Sequence, residues 1–376
     1  MSSKPTRITS LDYIRGIAML GVIGIHVGSF SLANPDLNTA LFALLEVATR
    51  FSVPIFFFVS AFGLFYRLDL TAPFDYLRFL KRRFRTVLVP YVVWSMLYLL
   101  QYSVNFHDWN VWHPYGLLTT LFFGLGSYQL YFMVILLWFY ALMPLWIAIM
   151  KRLSPPIPLL VILFILQLGF NHWSTVSLWS YPLDGSFFSQ CIQFRLNWWV
   201  MHYLFIFLLG GTMAIHYDRV YHYLQEHGKL IYTLGICSLV LIVGRFYGYL
   251  YQTPAYSPES AMNMVQQLSP VGLIYTVGAT LFFLRFFTFA KLPDRIAGTL
   301  ALLGHHSYFI YLFHPFVLSF FGDTAVLNGI VLTTKKIIAL YFAVALLSLL
   351  FAILTERIAY RLPLVSKLLI GTSRKK

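Results

Sequence analysis

Ten apolar stretches of roughly membrane-crossing length run through this chain, and they leave little room for any fold but a helical bundle in lipid. They cover residues 11–30, 40–66, 84–102, 128–150, 157–170, 196–215, 230–251, 271–289, 300–320 and 337–358. A helix needs about 20 residues to cross the hydrocarbon layer, so only 157–170 is short. Backbone in lipid must satisfy its own hydrogen bonds, which makes each stretch a helix. The predicted fold is therefore all-α, a polytopic membrane protein of about ten transmembrane helices. Charged residues are 11% of the chain, against about 25% in a soluble domain. Residues 1–376 read as one integral-membrane domain, with no soluble extracellular domain.

The net charge of +14 is sorted by side and does not point to nucleic acid. Lys4 and Arg7, the cluster from Arg78 to Arg85, Lys151 and Arg152, Arg219 and Lys229, Lys291 and Arg295, and the segment from Arg361 to Lys376 alternate with loops almost free of Lys and Arg. Those loops include Asn34-Pro35-Asp36, His107-Asp108-Trp109, 171–190 and 252–267; Lys335 and Lys336 are the main exception. The positive-inside rule then places both termini in the cytoplasm. Lys4, Arg7, an apolar run and Ser31-Leu32-Ala33 mimic a cleavable signal, but Asp12, Arg15 and His26 interrupt the run. The first helix is expected to be retained. Cys191 and Cys237 make no framework and no metal spacing.

Four patches stand out from the apolar background. Arg15 and His26 lie eleven residues apart on the first span. Eleven helical steps return to nearly the same face about 16 Å further on. Ionisable groups at that depth are costly and face a cavity or a partner; Asp12, three residues before Arg15, can pair with it. The second patch is Val53-Pro54-Ile55-Phe56-Phe57-Phe58-Val59-Ser60-Ala61-Phe62-Gly63. Pro54 is expected to break or kink the span near its start. Ser60, Ala61 and Gly63 permit close helix packing, and Ser60 could also hydrogen-bond inside a cavity. The third is Lys81-Arg82-Arg83-Phe84-Arg85. It marks the cytoplasmic side, and Arg82 and Arg85, three apart, have the fork geometry that suits phosphate. The fourth is Gly304-His305-His306-Ser307-Tyr308-Phe309-Ile310-Tyr311-Leu312-Phe313-His314-Pro315. Adjacent His305 and His306 point to different helical faces, so no metal site is assigned. Tyr308, Tyr311 and His314 form a polar stripe.

In this order the patches resemble the acyltransferase-3 family of integral membrane acyltransferases. Leu11 to Gly16 and the Arg15–His26 spacing are similar to its first-helix motif. Val53–Gly63 resembles its Phe-Phe-x-x-Ser-Gly-Phe segment, with Ala61 in place of glycine. Arg82 to Arg85 before Pro90 resembles its Arg-x-x-Arg element. Gln129-Leu130-Tyr131-Phe132 resembles its His-Leu-Trp-Phe segment with two exchanges, so no catalytic role passes to Gln129. Ser307–Pro315 and Thr355-Glu356-Arg357 resemble segments of its last helices.

The resemblance implies transfer of an acyl group, acetyl first and succinyl next, from acyl-CoA (acetyl-CoA foremost) to a hydroxyl of a surface polysaccharide or lipid-linked glycan precursor. His26 is then the expected general base, since imidazole titrates near the operating pH. Ser60 and Tyr311 are the expected oxyanion donors. Arg15, Arg82 and Arg85 are expected to bind the phosphates of the cosubstrate. No permanently bound cofactor and no metal are expected. The expected partners are acyl-CoA, a glycan acceptor and membrane lipid, not nucleic acid, and the location is the cell (plasma or inner) membrane. The loops 171–195 and 251–267 carry Trp173, Trp179, Tyr181 and Tyr256, which suit sugar stacking and an interfacial belt equally. The alternative is a transporter or flippase for a lipid-linked sugar. It explains the spans, but it explains the Arg82, Arg85 and His26 alignment less well, and the repeated broken spans of inverted-repeat transporters are not seen.

Overall fold

The computed structural model describes residues 8–152 and 157–371. Lys4, Arg7, Arg374, Lys375 and Lys376, part of the sided charge pattern above, lie outside the described residues. Every described element is helical, and among the described residues there is no strand. Eight helices are long and apolar enough to cross a membrane, and two bent pairs bring the number to ten if each is one span. In chain order they are α1 (Thr9–Ala33), α2 (Thr39–Phe65), α3 (Tyr76–Phe106), α4 (Tyr131–Ala141 with Met143–Arg152), α5 (Ile157–Ser180), α6 (Val200–Ile215 with Tyr217–Glu226), α7 (Gly228–Tyr251), α8 (Pro270–Phe289), α9 (Asp294–Leu327) and α10 (Thr334–Ala359).

All ten expected stretches are helical; eight are single helices long enough to cross, and the fourth and sixth are bent pairs. The short fifth stretch is a helix of 24 residues, because helix continues through the polar segment 171–180. The fourth span bends by 64° and the sixth by 96°. The first bend falls at Leu142, two residues before Pro144, whose ring and missing N–H disfavour a continuous helix. In α2 the irregularity precedes Pro54. A wide, π-helical turn spans Ala43–Val47, and Pro54 sits in the first turn of Ser52–Phe65, where its missing N–H costs no helical bond.

The chain forms two units, Met1–Arg67 with Leu209–Leu350, and Leu68–Leu208 with Phe351–Lys376. The first unit is organised around α1 and α9, which approach through reciprocal glycines. A Cβ on Gly16 would lie 2.4 Å from the Leu300 carbonyl oxygen, and one on Gly304 would lie 2.0 Å from the Asp12 carbonyl oxygen. Helices in lipid gain little from apolar burial against one another, so close backbone packing through small residues carries the association. The same device brings α1 onto α2, where Gly28 meets the Glu46 side chain. The Tyr341 hydroxyl donates to the Leu20 carbonyl at 3.2 Å and ties α10 to the same helix.

The second unit is held by aromatic packing and buried polar networks. Phe139 and Phe207 stack with centroids 4.0 Å apart. Arg195 is buried; its Nε donates to the Ser174 carbonyl (2.9 Å) and its Nη1 to the Ile192 carbonyl (2.9 Å). Ser174 also hydrogen-bonds His202 Nε2 at 2.8 Å. A guanidinium inside an apolar bundle is tolerable only with such partners.

Candidate active site

The first unit carries most of the chemistry. Near the start of α1, Arg15 Nη1 lies 3.4 Å from Asp12 Oδ1, with Asp12 buried and Arg15 about a third exposed. The pair opens into a cavity of about 410 Å³ that Tyr66, Arg67, Gly63, Gly304 and His305 also line. Gly63 faces the guanidinium: a Cβ there would lie 3.9 Å from Arg15 Nη2. Two guanidiniums and the Asp12 carboxylate line the cavity, and a guanidinium is the side chain best suited to two-point recognition of carboxylate or phosphate. Sequence reasoning missed Arg67 and Tyr66. Their position just beyond the apolar end of α2 was the available signal.

Further along α1, the His26 and His314 rings stack with centroids 5.4 Å apart and planes at 25°. His314 is fully buried, and its Nδ1 lies 3.0 Å from the Ile310 carbonyl oxygen. A carbonyl only accepts, so Nδ1 carries the proton and Nε2 presents a lone pair. That Nε2 is buried and has no hydrogen-bond partner among the described residues. His26 is half-buried. The Tyr311 ring, buried on α9, lies 6.2 Å from that of His314. His314 appeared in the sequence only as part of a stripe; its pairing with His26 depends on the α1–α9 crossing.

The other expected site residues are placed as follows. Ser60 is half-buried on α2, one turn before Gly63. His305 is exposed on the cavity and His306 buried, but their rings lie only 4.7 Å apart and their ligand nitrogens come within 4.8 Å of each other, which corrects the expectation that adjacent histidines diverge. Arg82 and Arg85 belong to the second unit and are exposed. A wide turn over Phe84–Leu88 begins between them. Arg83 instead folds onto the Phe79 and Tyr140 rings, 5.2 and 4.9 Å from their centroids. Gln129 is buried and accepts from the Ser127 hydroxyl at 2.6 Å. A further group went unnoticed in the sequence: Glu46, almost fully buried in α2, pairs with Arg50 one turn later. A carboxylate and a guanidinium four apart within an apolar stretch were the signal for it.

The fold is that of a polytopic membrane protein with a guanidinium-lined cavity near one end of α1 and a stacked histidine pair further along it. The chain belongs to the acyltransferase-3 family, whose acyltransferase domain matches residues 8–357. It is also similar to the probable poly-beta-1,6-N-acetyl-D-glucosamine export protein of Staphylococcus aureus (strain MSSA476), 23% identical over 249 residues, 64% of this chain and 62% of that protein. The protein of that name from Staphylococcus epidermidis is 24% identical over 191 residues, 50% of this chain and 48% of the relative. The chain thus spans less than two thirds of the length of the curated relatives it matches. No solved structure matches it.

Proposed function

We propose that the protein is a membrane O-acyltransferase. It moves an acyl group, acetyl foremost and succinyl next, from acyl-CoA to a hydroxyl of a cell-surface polysaccharide or lipid-linked glycan precursor. The observation that carries this reading is the His26–His314 stack on the helix whose other end holds Arg15 in a guanidinium-lined cavity, within a chain of an acyltransferase family. Arg15 and Arg67 receive phosphate groups of the donor; Arg82 and Arg85, in the second unit, are a separate candidate for phosphate recognition. The pantetheine arm then runs along α1 over the roughly 16 Å from Arg15 to His26.

At its end, His26 takes the proton of the acceptor hydroxyl as the oxygen attacks the thioester carbonyl. A tetrahedral oxyanion forms, and the Ser60 and Tyr311 hydroxyls are its donors. The intermediate collapses with cleavage of the carbon–sulfur bond. The leaving thiolate receives the proton held on His26, giving an O-acyl glycan and free CoA. His314 stacks on His26 and holds its ring in place. Both termini face the cytoplasm of a plasma-membrane protein, so donor enters from the side of Arg15.

The second reading, movement of a glycan across the bilayer, is favoured by the word "export" in the name of the staphylococcal relatives. Purified protein in liposomes separates the two. Acetyl-CoA with a β-1,6-linked N-acetylglucosamine oligosaccharide is expected to release free thiol only when both are present. Glycan movement without thioester consumption would overturn the acyltransferase reading.

A further inference from the structure

Resting on that reading, we propose that Glu46, Arg50 and Gln267 form the acceptor subsite, a charged cluster that recognises sugar hydroxyls beside His26. The cluster sits at the end of α1 remote from Arg15. Gly28, two residues past His26, lets α1 press onto α2 there: a Cβ on it would lie 2.9 Å from Glu46 Cγ. Glu46 lies in the wide turn Ala43–Val47, and such one-turn widenings in helices occur frequently at functional sites. Arg50 Nη2 bonds Glu46 Oε2, and Arg50 Nη1 reaches Gln267 Oε1 at 3.5 Å.

Two features argue against a mere brace. Arg50 Nε is buried without a hydrogen-bond partner among the described residues, and an open buried donor is costly unless a ligand fills it. The Arg50 side chain is nonetheless 12% exposed, and Gln267 is half-exposed, so the cluster is within reach from outside. A sugar hydroxyl is donor and acceptor at once. It can accept from the Arg50 Nε–H and donate to the Glu46 carboxylate. Gln267 closes the 251–267 segment, whose Tyr256 offers a stacking face. Donor phosphates at Arg15 and sugar hydroxyls at Arg50 would then approach the histidine from opposite ends of one helix.

The test uses the full-length protein in liposomes with acetyl-CoA and a β-1,6-linked N-acetylglucosamine oligosaccharide. Thiol release gives both KM values, and calorimetry gives oligosaccharide binding. Arg50→Lys and Glu46→Gln are expected to raise the acceptor KM about tenfold or more, leaving the donor KM unchanged. Gln267→Ala keeps the ion pair and is expected to raise it about threefold. If the charge variants aggregate on size exclusion, Gln267→Ala decides alone. Equal rises in both KM values would reveal a brace and overturn the proposal. So would acceptor KM and binding within about twofold of wild type, the scale of a minor contact. Wild-type protein that neither releases thiol nor binds the oligosaccharide would overturn the acyltransferase reading together with the subsite. An active wild type with unchanged variants would overturn the subsite alone.

Discussion

Replacing His26 separates chemistry from architecture, because the two losses differ in size. A positioned general base contributes about 10²–10⁴ in rate, or about 2.7–5.5 kcal/mol of barrier. The structural role of the ring is smaller. It is half-buried and stacks on His314 at 5.4 Å, and a stacked ring pair contributes about 0.5–1.5 kcal/mol. The glycine contacts at Gly16, Gly21, Gly24 and Gly28, which seat α1 on its neighbours, do not involve the imidazole. His26→Ala and His26→Gln are therefore expected to insert and to elute as folded protein in detergent, with thermal midpoints lowered by a few degrees. Both are expected to lose at least about a hundredfold of acyl transfer in liposomes. Glutamine hydrogen-bonds but does not act as a base, so it is no better than alanine. The alanine variant leaves space where the ring stood, and added imidazole is expected to restore part of its activity but none to the glutamine variant. Glutamine activity within about threefold of wild type would refute the base assignment, since that is below the contribution of any positioned base.

Three further outcomes are expected. Gly304→Val places side-chain carbon where a Cβ alone meets the Asp12 carbonyl oxygen at 2.0 Å; overpacking of this kind costs about 1–3 kcal/mol, read as a lower unfolding midpoint in detergent, and an unchanged midpoint would refute the close α1–α9 crossing. Arg82→Ala or Arg85→Ala is expected to raise the donor KM by about ten- to a hundredfold, since charge-assisted bonds to phosphate contribute about 1.5–3 kcal/mol each, with the acceptor KM little changed; steady-state thiol release measures both, and unchanged donor use would remove these residues from the donor site. An N-terminal tag is expected to stay attached to the full-length protein and to be cleaved by protease only from the cytosolic face; its loss during biogenesis would show that the first helix is a cleaved signal.

The sequence by itself determined the spans and the first stripe. Lipid imposes one requirement on every crossing segment, a self-satisfied backbone with an apolar surface, and that requirement is local, so hydropathy reads it. The Arg15–His26 alignment is equally local, since one helix's geometry sets it. The bend at Leu142 had a local marker in Pro144, whereas the 96° bend at His216 has no proline or glycine at the break. What only the tertiary structure decided are the partners between elements. The stacking of His26 on His314, the cavity shared by Arg15, Gly63 and Arg67, and the reach of Arg50 to Gln267 join segments up to about three hundred residues apart; the histidine pair in particular depends on the glycines of α1 and α9 that let those backbones approach. Glu46 and Arg50 are the instructive case. Within a 27-residue span the hydropathy window stays apolar despite two charges, and only packing shows that Glu46 faces inward against Gly28 of α1 rather than lipid.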